Sequence, residues 1–186
     1  MIRTLCAATR LRASPTVVWT HLTDFARWPE WFFGVRSLRV SPPRGGPGAE
    51  REITLVYGST HRERITHWEP PTSFSLEVRD PPFFTRFWQV TVRLEPSVGS
   101  TQLAWEMRYE MRLGAVGSAI DIAAVAPVLR LVLHMSLRRL GSRCERLRSE
   151  ALPRRGPRRT SREARCQQRR TRGVATAERQ RPRRPC

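Results

Sequence analysis

The stretch QLAWEMRYEMR, residues 102–112, restricts the fold of this chain more than any other because it alternates two kinds of side chain over a full strand length. Large apolar residues recur at every second position, at Leu103, Trp105, Met107, Tyr109 and Met111. The positions between them carry charge from Glu106 to Arg112. A period of two predicts a β-strand that buries one face and wets the other, as in an antiparallel sheet.

The segments before this strand show the same period. Five runs read as strands, VRSLRV, REITLVY, THRERITHWE, SFSLEVRD and FFTRFWQVTVRLEP, and Gly or Pro turns separate most of them. TLCAATRLRA predicts a first strand near the N-terminus. Two short helices should follow it, since Ser14 is a good N-cap and Pro15 suits a first helical position.

The last ordered element is expected to be one long helix from about Ala115 to Ser149, kinked at Pro127. The apolar stretch Leu113 to Leu137, which covers the first part of this helix, has the length of a membrane span. It also contains Asp121 and Arg130, which are costly in a bilayer core. We therefore expect a helix buried on most sides of a soluble α+β fold, with a curved antiparallel sheet wrapped around it and a hollow between them.

The charge of the chain is concentrated at its end. Residues 151–186 hold 13 arginines and two glutamates, a net +11 of the chain's +18. This composition, poor in large apolar residues, predicts a disordered arginine-rich tail after a domain of residues 1–150. Such a tail suggests a weak, salt-sensitive contact with nucleic acid or an anionic membrane. A solvated extension without a partner is the favoured interpretation.

The cysteine and histidine residues restrict the location and chemistry. Four scattered cysteines without a secretory leader indicate reduced thiols and a cytoplasmic protein. The His and Cys residues do not cluster, so we expect no metal and no cofactor. Ser-His-Asp, HExxH, P-loop and GxGxxG motifs are absent from the sequence.

The opening of the chain resembles a known superfamily. ASPTVVWTHLTDFARWPEW, residues 13–31, is similar to the start of START-like SRPBCC proteins, the polyketide cyclase/dehydrase and lipid-transport group. RITHWEPPTSFS, residues 64–75, and the terminal helix with its proline also resemble that group. The resemblance implies a helix-grip fold with an internal cavity for an apolar or amphipathic small molecule. It does not imply one activity, because the group contains both carriers and enzymes.

Three tryptophans lie in this opening stretch. Trp19 is expected to pack its helix on the sheet. Trp28 and Trp31 should wedge the second short helix near the mouth of the cavity.

The candidate ligand-binding residues come from the inward faces of the last strands and the long helix. They are Phe84, Arg86, Trp88, Trp105, Met107, Tyr109, Leu131 and Met135. For each, core filling is the alternative to ligand contact. An inward Arg86 would need a carboxylate partner unless a bulge turned it outward. Tyr109 could orient a ligand carbonyl, and His67 and His134 are the histidines expected near the cavity.

Three functions stay open at this point. The first is binding or carriage of a hydrophobic or amphipathic small molecule, lipid- or polyketide-like, without an assigned catalytic residue. The second is a cyclase, aromatase or dehydratase acting on a polyketide-like chain. The third is an interaction protein that uses its basic tail on nucleic acid or an anionic membrane. The sequence leaves the oligomeric state undecided.

Overall fold

A computed structural model describes residues 2–42, 45–112 and 114–151 of the chain. Its strands are β1 (Ile2–Leu11), β2 (Val35–Ser41), β3 (Glu50–Leu55), β4 (Thr60–Glu69), β5 (Ser73–Val78), β6 (Thr85–Ser97) and β7 (Ser100–Met111). They form one curved antiparallel sheet in the order β1–β7–β6–β5–β4–β3–β2. The predicted succession of strands and helices along the chain and the α+β helix-grip fold are confirmed.

The helices lie in two groups. Helix α1 (Pro15–Thr23) and the short α2 (Trp28–Trp31) follow β1, with a 3₁₀ turn at Phe25–Arg27 between them. Helix α3 (Gly114–Ile120), a π-helical turn at Asp121–Val125 and helix α4 (Ala126–Ala151) follow β7. The irregular turn ends at Val125, and Pro127, which has no N–H to donate to a regular helix, follows in the first turn of α4.

The core follows the alternation of β7. Leu103, Trp105, Met107, Tyr109 and Met111 are all buried, as their common parity predicts. On the other side of the core, α4 buries residues spaced three or four apart, namely Leu133, Leu137, Leu140 and Cys144. The sheet and this helix face therefore share one core.

Aromatic side chains attach α1 and α2 to the sheet. The Trp19 ring meets Trp68 with centroids 5.0 Å apart, which confirms the packing predicted for Trp19. Trp28 Nε1 donates to the carbonyl of Leu22 at 2.8 Å, and Trp28 and Trp31 are both buried. The tryptophans of the opening stretch close the core beside the sheet.

The amino-terminal half of the long helix is much less buried than predicted. The stretch Gly114–Arg146 is long and apolar enough to span a membrane by length and composition. Only 17% of its most apolar window is buried in the folded chain. Asp121 attaches this half of the helix to the sheet. It is fully buried, accepts a 2.6 Å hydrogen bond from the Tyr109 hydroxyl of β7, and lies 3.0 Å from Arg3 Nε of β1. The expectation of a helix buried on most sides is wrong.

The predicted disordered tail, residues 151–186, lies outside the described residues apart from Ala151, which ends α4.

Candidate functional site

A cavity of about 460 Å³ lies between the sheet and the long helix. This volume is within the range of small-molecule sites in proteins. The sheet contributes side chains from β3 to β7, and the helical turn at Asp121–Val125 and α4 close the other side. The wall is mostly aliphatic and aromatic, as in a site for an apolar molecule.

Four of the eight candidate residues line this cavity. They are Phe84, which precedes β6, Trp88 on β6, and Trp105 and Met107 on β7. Val92 of β6 lies opposite Trp105, and Val90 lies opposite Met107, so the two strands present their apolar faces together. Contact of these four side chains with a ligand stays a prediction.

The prediction that Arg86 points inward is wrong. The β6–β7 register shifts between Thr85 and Phe87, so Thr85 is buried and Arg86 is exposed. A bulge inserts one residue, so the side chains before it and after it follow opposite alternations. The same effect moves His67, because the β4–β5 register shifts between Ile65 and His67. His67 is exposed and hydrogen-bonds Ser73 Oγ at 3.0 Å.

Tyr109, Leu131 and Met135 do not line the cavity either. Tyr109 is buried on the predicted face, but its ring stacks on Trp88 and its hydroxyl donates to Asp121. Trp88, and not Tyr109, therefore faces the cavity. Burial and Asp121 raise the pKa of the phenol. Leu131 is 57% exposed, and Met135 is half-buried outside the lining. His134 is exposed on the same helix.

A buried ion pair forms the polar part of the cavity wall. Arg51 of β3 and Glu63 of β4 are directly opposite in the sheet, with Nη2 and Oε2 3.1 Å apart. The guanidinium is sandwiched between aromatic rings, 4.4 Å from the centroid of Phe25 and 4.3 Å from that of Trp28. The rings supply cation–π attraction and keep water away from the charge.

The ion pair is incompletely hydrogen-bonded. Among the described residues, Arg51 Nε, Nη1 and Nη2 and Glu63 Oε2 find no partner of good hydrogen-bond geometry, nor does the indole N–H of Trp105. Burial lowers the pKa of Arg51 and raises the pKa of Glu63, and in each case the partner's charge opposes the shift. Arginine nevertheless stays protonated in proteins, so the wall carries a fixed positive charge.

His61 adds a second titratable group beside Glu63. Both residues line the cavity from β4, two positions apart and therefore on the same face. The His61 ring is held by Ser59 Oγ at 3.0 Å from Nε2 and by the Asp80 carbonyl at 2.9 Å from Nδ1. This wall can thus offer a positive charge and a carboxyl to a bound molecule, while both ring nitrogens of His61 are already engaged by Ser59 and Asp80.

The alternation of side chains along β3 and β4 predicts that Arg51, Glu63 and His61 face inward. Arg51 shares its side of β3 with Ile53 and Leu55, while His61 and Glu63 share theirs with Ile65. Extending the apolar stripe by one step in β3 and by two steps in β4 identifies all three residues. No signal in the strand itself predicts that a charge at such a position stays buried.

Within the part of the chain that the structure describes, no three His, Cys, Asp or Glu side chains come together as a metal site requires.

Comparison with solved structures identifies the same fold. The di-domain ARO/CYC StfQ from the steffimycin biosynthetic pathway superposes with a TM-score of 0.63 at 15% identity, over 80% of this chain and 53% of that one. Protein XoxI from Bacillus cereus gives 0.62 at 15% identity, over 78% and 97%. Ara h 8.0201 gives 0.57 at 12% identity, over 75% and 99%.

Sequence comparison identifies one family. No curated protein sequence matches this chain significantly. The family model described as polyketide cyclase / dehydrase and lipid transport matches residues 6–145. This range includes most of the long helix and all of the sheet except the first residues of β1. The chain therefore belongs to the polyketide cyclase / dehydrase and lipid transport family.

Proposed function

We propose that this protein binds an amphipathic small molecule, with its apolar body in the cavity and an oxygen-bearing, preferably anionic, group next to Arg51. The single observation that carries the proposal is the buried, incompletely hydrogen-bonded Arg51 in a mostly apolar cavity wall. A buried donor without a partner costs free energy that a ligand oxygen can recover. The family's coarse association with hydrophobic small molecules supports the same reading.

The polar side chains define which ligands fit. Arg51 and the Trp105 indole offer donors, while Glu63 is already opposite the guanidinium. A carboxylate, phenolate or polarised carbonyl would gain a charge-assisted hydrogen bond there. A pure hydrocarbon would leave those donors unpaired, so we expect it to bind more weakly than an oxygenated molecule of the same size.

Two related dyes test this preference. 8-Anilinonaphthalene-1-sulfonate carries an anionic group, and N-phenyl-1-naphthylamine has the same rings without it. We expect the full chain to bind both, and the double variant Arg51→Met/Glu63→Met to lose affinity for the sulfonate about tenfold more than for the neutral dye. Arg39→Gln, an exposed arginine of β2, is the matched control and should change neither. An unchanged ratio of the two affinities in the double variant would refute the role of Arg51.

A second candidate function is favoured by Glu63. A carboxyl of raised pKa in a mostly apolar cavity is suited to move protons on a bound carbonyl compound. On this alternative the protein is a cyclase, aromatase or dehydratase acting on a polyketide-like chain. Mass spectrometry of such a substrate after incubation would detect loss of water. Glu63→Gln should bind the substrate and stop the reaction, whereas equal turnover by this variant would exclude Glu63.

The arginine-rich residues 151–186 support a separate, weaker proposal. Their charge favours a salt-sensitive contact with nucleic acid or an anionic membrane, in a cytoplasmic protein. Deleting residues 152–186 should abolish nucleic-acid binding and leave dye binding unchanged. Nucleic-acid binding that survives the deletion, or that does not fall with salt, would contradict this proposal.

A further inference from the structure

Exposed apolar side chains surround the opening of the cavity. Tyr57, Phe33 and Val128 line the cavity and are also exposed, so they mark its mouth. Phe83 is 85% exposed, and its ring lies 5.4 Å from that of the cavity residue Phe84. Leu131 lies one helical turn beyond Val128 on the same side of α4. We call these five residues the apolar rim: Phe33, Tyr57, Phe83, Val128 and Leu131.

The rim is continued by positive charge. Arg138 follows Leu131 by seven residues and therefore lies on the same face of α4. Arg139 stacks its guanidinium over the Phe33 ring of the rim, 4.4 Å from the centroid. Both arginines border a second, polar depression of about 360 Å³, and its described lining contains two more arginines and one carboxylate, Glu30. We call Arg138, Arg139, Arg143 and Arg146 the arginine cluster, and with the apolar rim it forms one continuous surface along the helix.

We propose that this surface docks on an anionic phospholipid bilayer. Side chains of the apolar rim would enter the acyl boundary, and the arginine cluster would bind headgroup phosphates through paired N–H donors. Val116 and Ile120, one turn apart on α3, are exposed as well and add apolar surface to this end of the long helix. The docking does not depend on the identity, or the existence, of a ligand in the cavity.

The charges favour a bilayer over a second copy of the chain. Docking two identical copies through this surface would place each arginine cluster against either the other cluster or the other copy's apolar rim, and both arrangements are unfavourable. A surface of phosphates complements the same charges. An acidic protein could also do so, and that alternative is one of the outcomes of the test.

The test uses the full chain and vesicles of phosphatidylcholine with or without phosphatidylserine, at low and at high salt. The arginine-rich C-terminal residues contribute binding that falls steeply with salt, whereas insertion of apolar side chains survives it. We substitute Phe83→Ser/Leu131→Ser, two rim residues that are exposed and do not line the cavity. The control is Val98→Ser, a fully exposed valine in the turn at the opposite end of β6.

We expect wild type and Val98→Ser to retain binding to phosphatidylserine vesicles at high salt. Phe83→Ser/Leu131→Ser should bind about tenfold more weakly, since inserting even part of a Phe or Leu side chain is worth that factor. Arg138→Glu/Arg139→Glu should lose more binding at low salt than Arg10→Glu/Arg108→Glu, which makes the same charge change on exposed strand positions. Equal binding of the rim variant and Val98→Ser would overturn the proposal. So would a wild-type dimer that the rim variant dissociates, or a wild type that binds an acidic protein but no vesicle.

Discussion

Replacing Arg51 by methionine should cost about 3–5 kcal/mol of unfolding free energy near neutral pH, because the change leaves a buried carboxylate without its partner. Glu63 lies 3.1 Å from the Arg51 guanidinium, and both side chains are shielded from water. Once alone, Glu63 must either ionise in the core or hold a proton. Its pKa is then raised further in the folded state, since burial already raises it beside Arg51.

The sign of the pH dependence follows from this shift. An acid whose pKa is higher in the folded protein binds protons more tightly there, so stability increases as the pH falls. The penalty of Arg51→Met should therefore shrink on acidification. It should approach its minimum below the unfolded-state pKa of glutamate, about 4.3. Wild type should show a smaller gain over the same range, because the guanidinium opposes the shift of Glu63.

Urea unfolding followed by circular dichroism measures these effects. Removing both charges in Arg51→Met/Glu63→Met should return the stability to within about 1 kcal/mol of wild type, because the desolvation cost of the pair disappears with it. The matched control is Arg93→Met, which breaks an exposed ion pair with Glu106 of similar separation, 3.3 Å, and should cost less than about 1 kcal/mol. If Arg51→Met resembles Arg93→Met, or if its cost is independent of pH, the two charges are not buried together.

Three further predictions use other parts of the core. Trp105→Ala should lower stability by about 3 kcal/mol and weaken dye binding, because it removes a buried indole from the cavity wall; unchanged urea unfolding and dye affinity would show that Trp105 is not inward. Tyr109→Phe should cost about 1–3 kcal/mol in urea unfolding, because buried Asp121 loses a 2.6 Å hydrogen bond; a cost typical of surface substitutions would contradict that burial. Burial raises the pKa of Cys144 to about 11, so iodoacetamide at pH 8 should label Cys6, which is exposed, and leave Cys144 unlabelled until the protein is unfolded. Equal labelling rates at the two cysteines in the folded protein, measured by peptide mass spectrometry, would argue against it.

The period of the strands was enough to predict the sheet, because side-chain parity survives wherever strand pairing is regular. In β7 every predicted inward residue is buried, from Leu103 to Met111. Parity fails at Arg86 and His67, each next to a shift in strand register. A bulge depends on pairing with the neighbouring strand, so the sequence of one strand does not reveal it.

The long helix was harder to orient for a different reason. Its amino-terminal half is apolar on every side, so no stripe distinguishes the buried face, and the prediction that Leu131 faces inward is wrong because this residue is exposed. Asp121 is a clearer marker in retrospect. A carboxylate in an apolar helix of a folded domain is expected to find a buried partner, and here Tyr109 and Arg3 provide it.

The polar cavity residues illustrate the limit of hydrophobic patterning. Arg51 and Glu63 occupy inward positions that a pattern based on apolar residues passes over. Their burial becomes understandable when each is seen to lie opposite the other in adjacent strands, where opposite charges can share a buried site.

The most direct test of a small-molecule cavity is native mass spectrometry of the purified full chain, compared with the same sample after denaturing extraction. Our account predicts an added mass in the native spectrum that the denatured protein lacks, with an oxygenated, largely apolar compound in the extract. It also predicts loss of that mass in Trp105→Ala. A ligand-free protein that takes up neither naphthalene dye would contradict the account and leave the side chains of the cavity wall as packing alone.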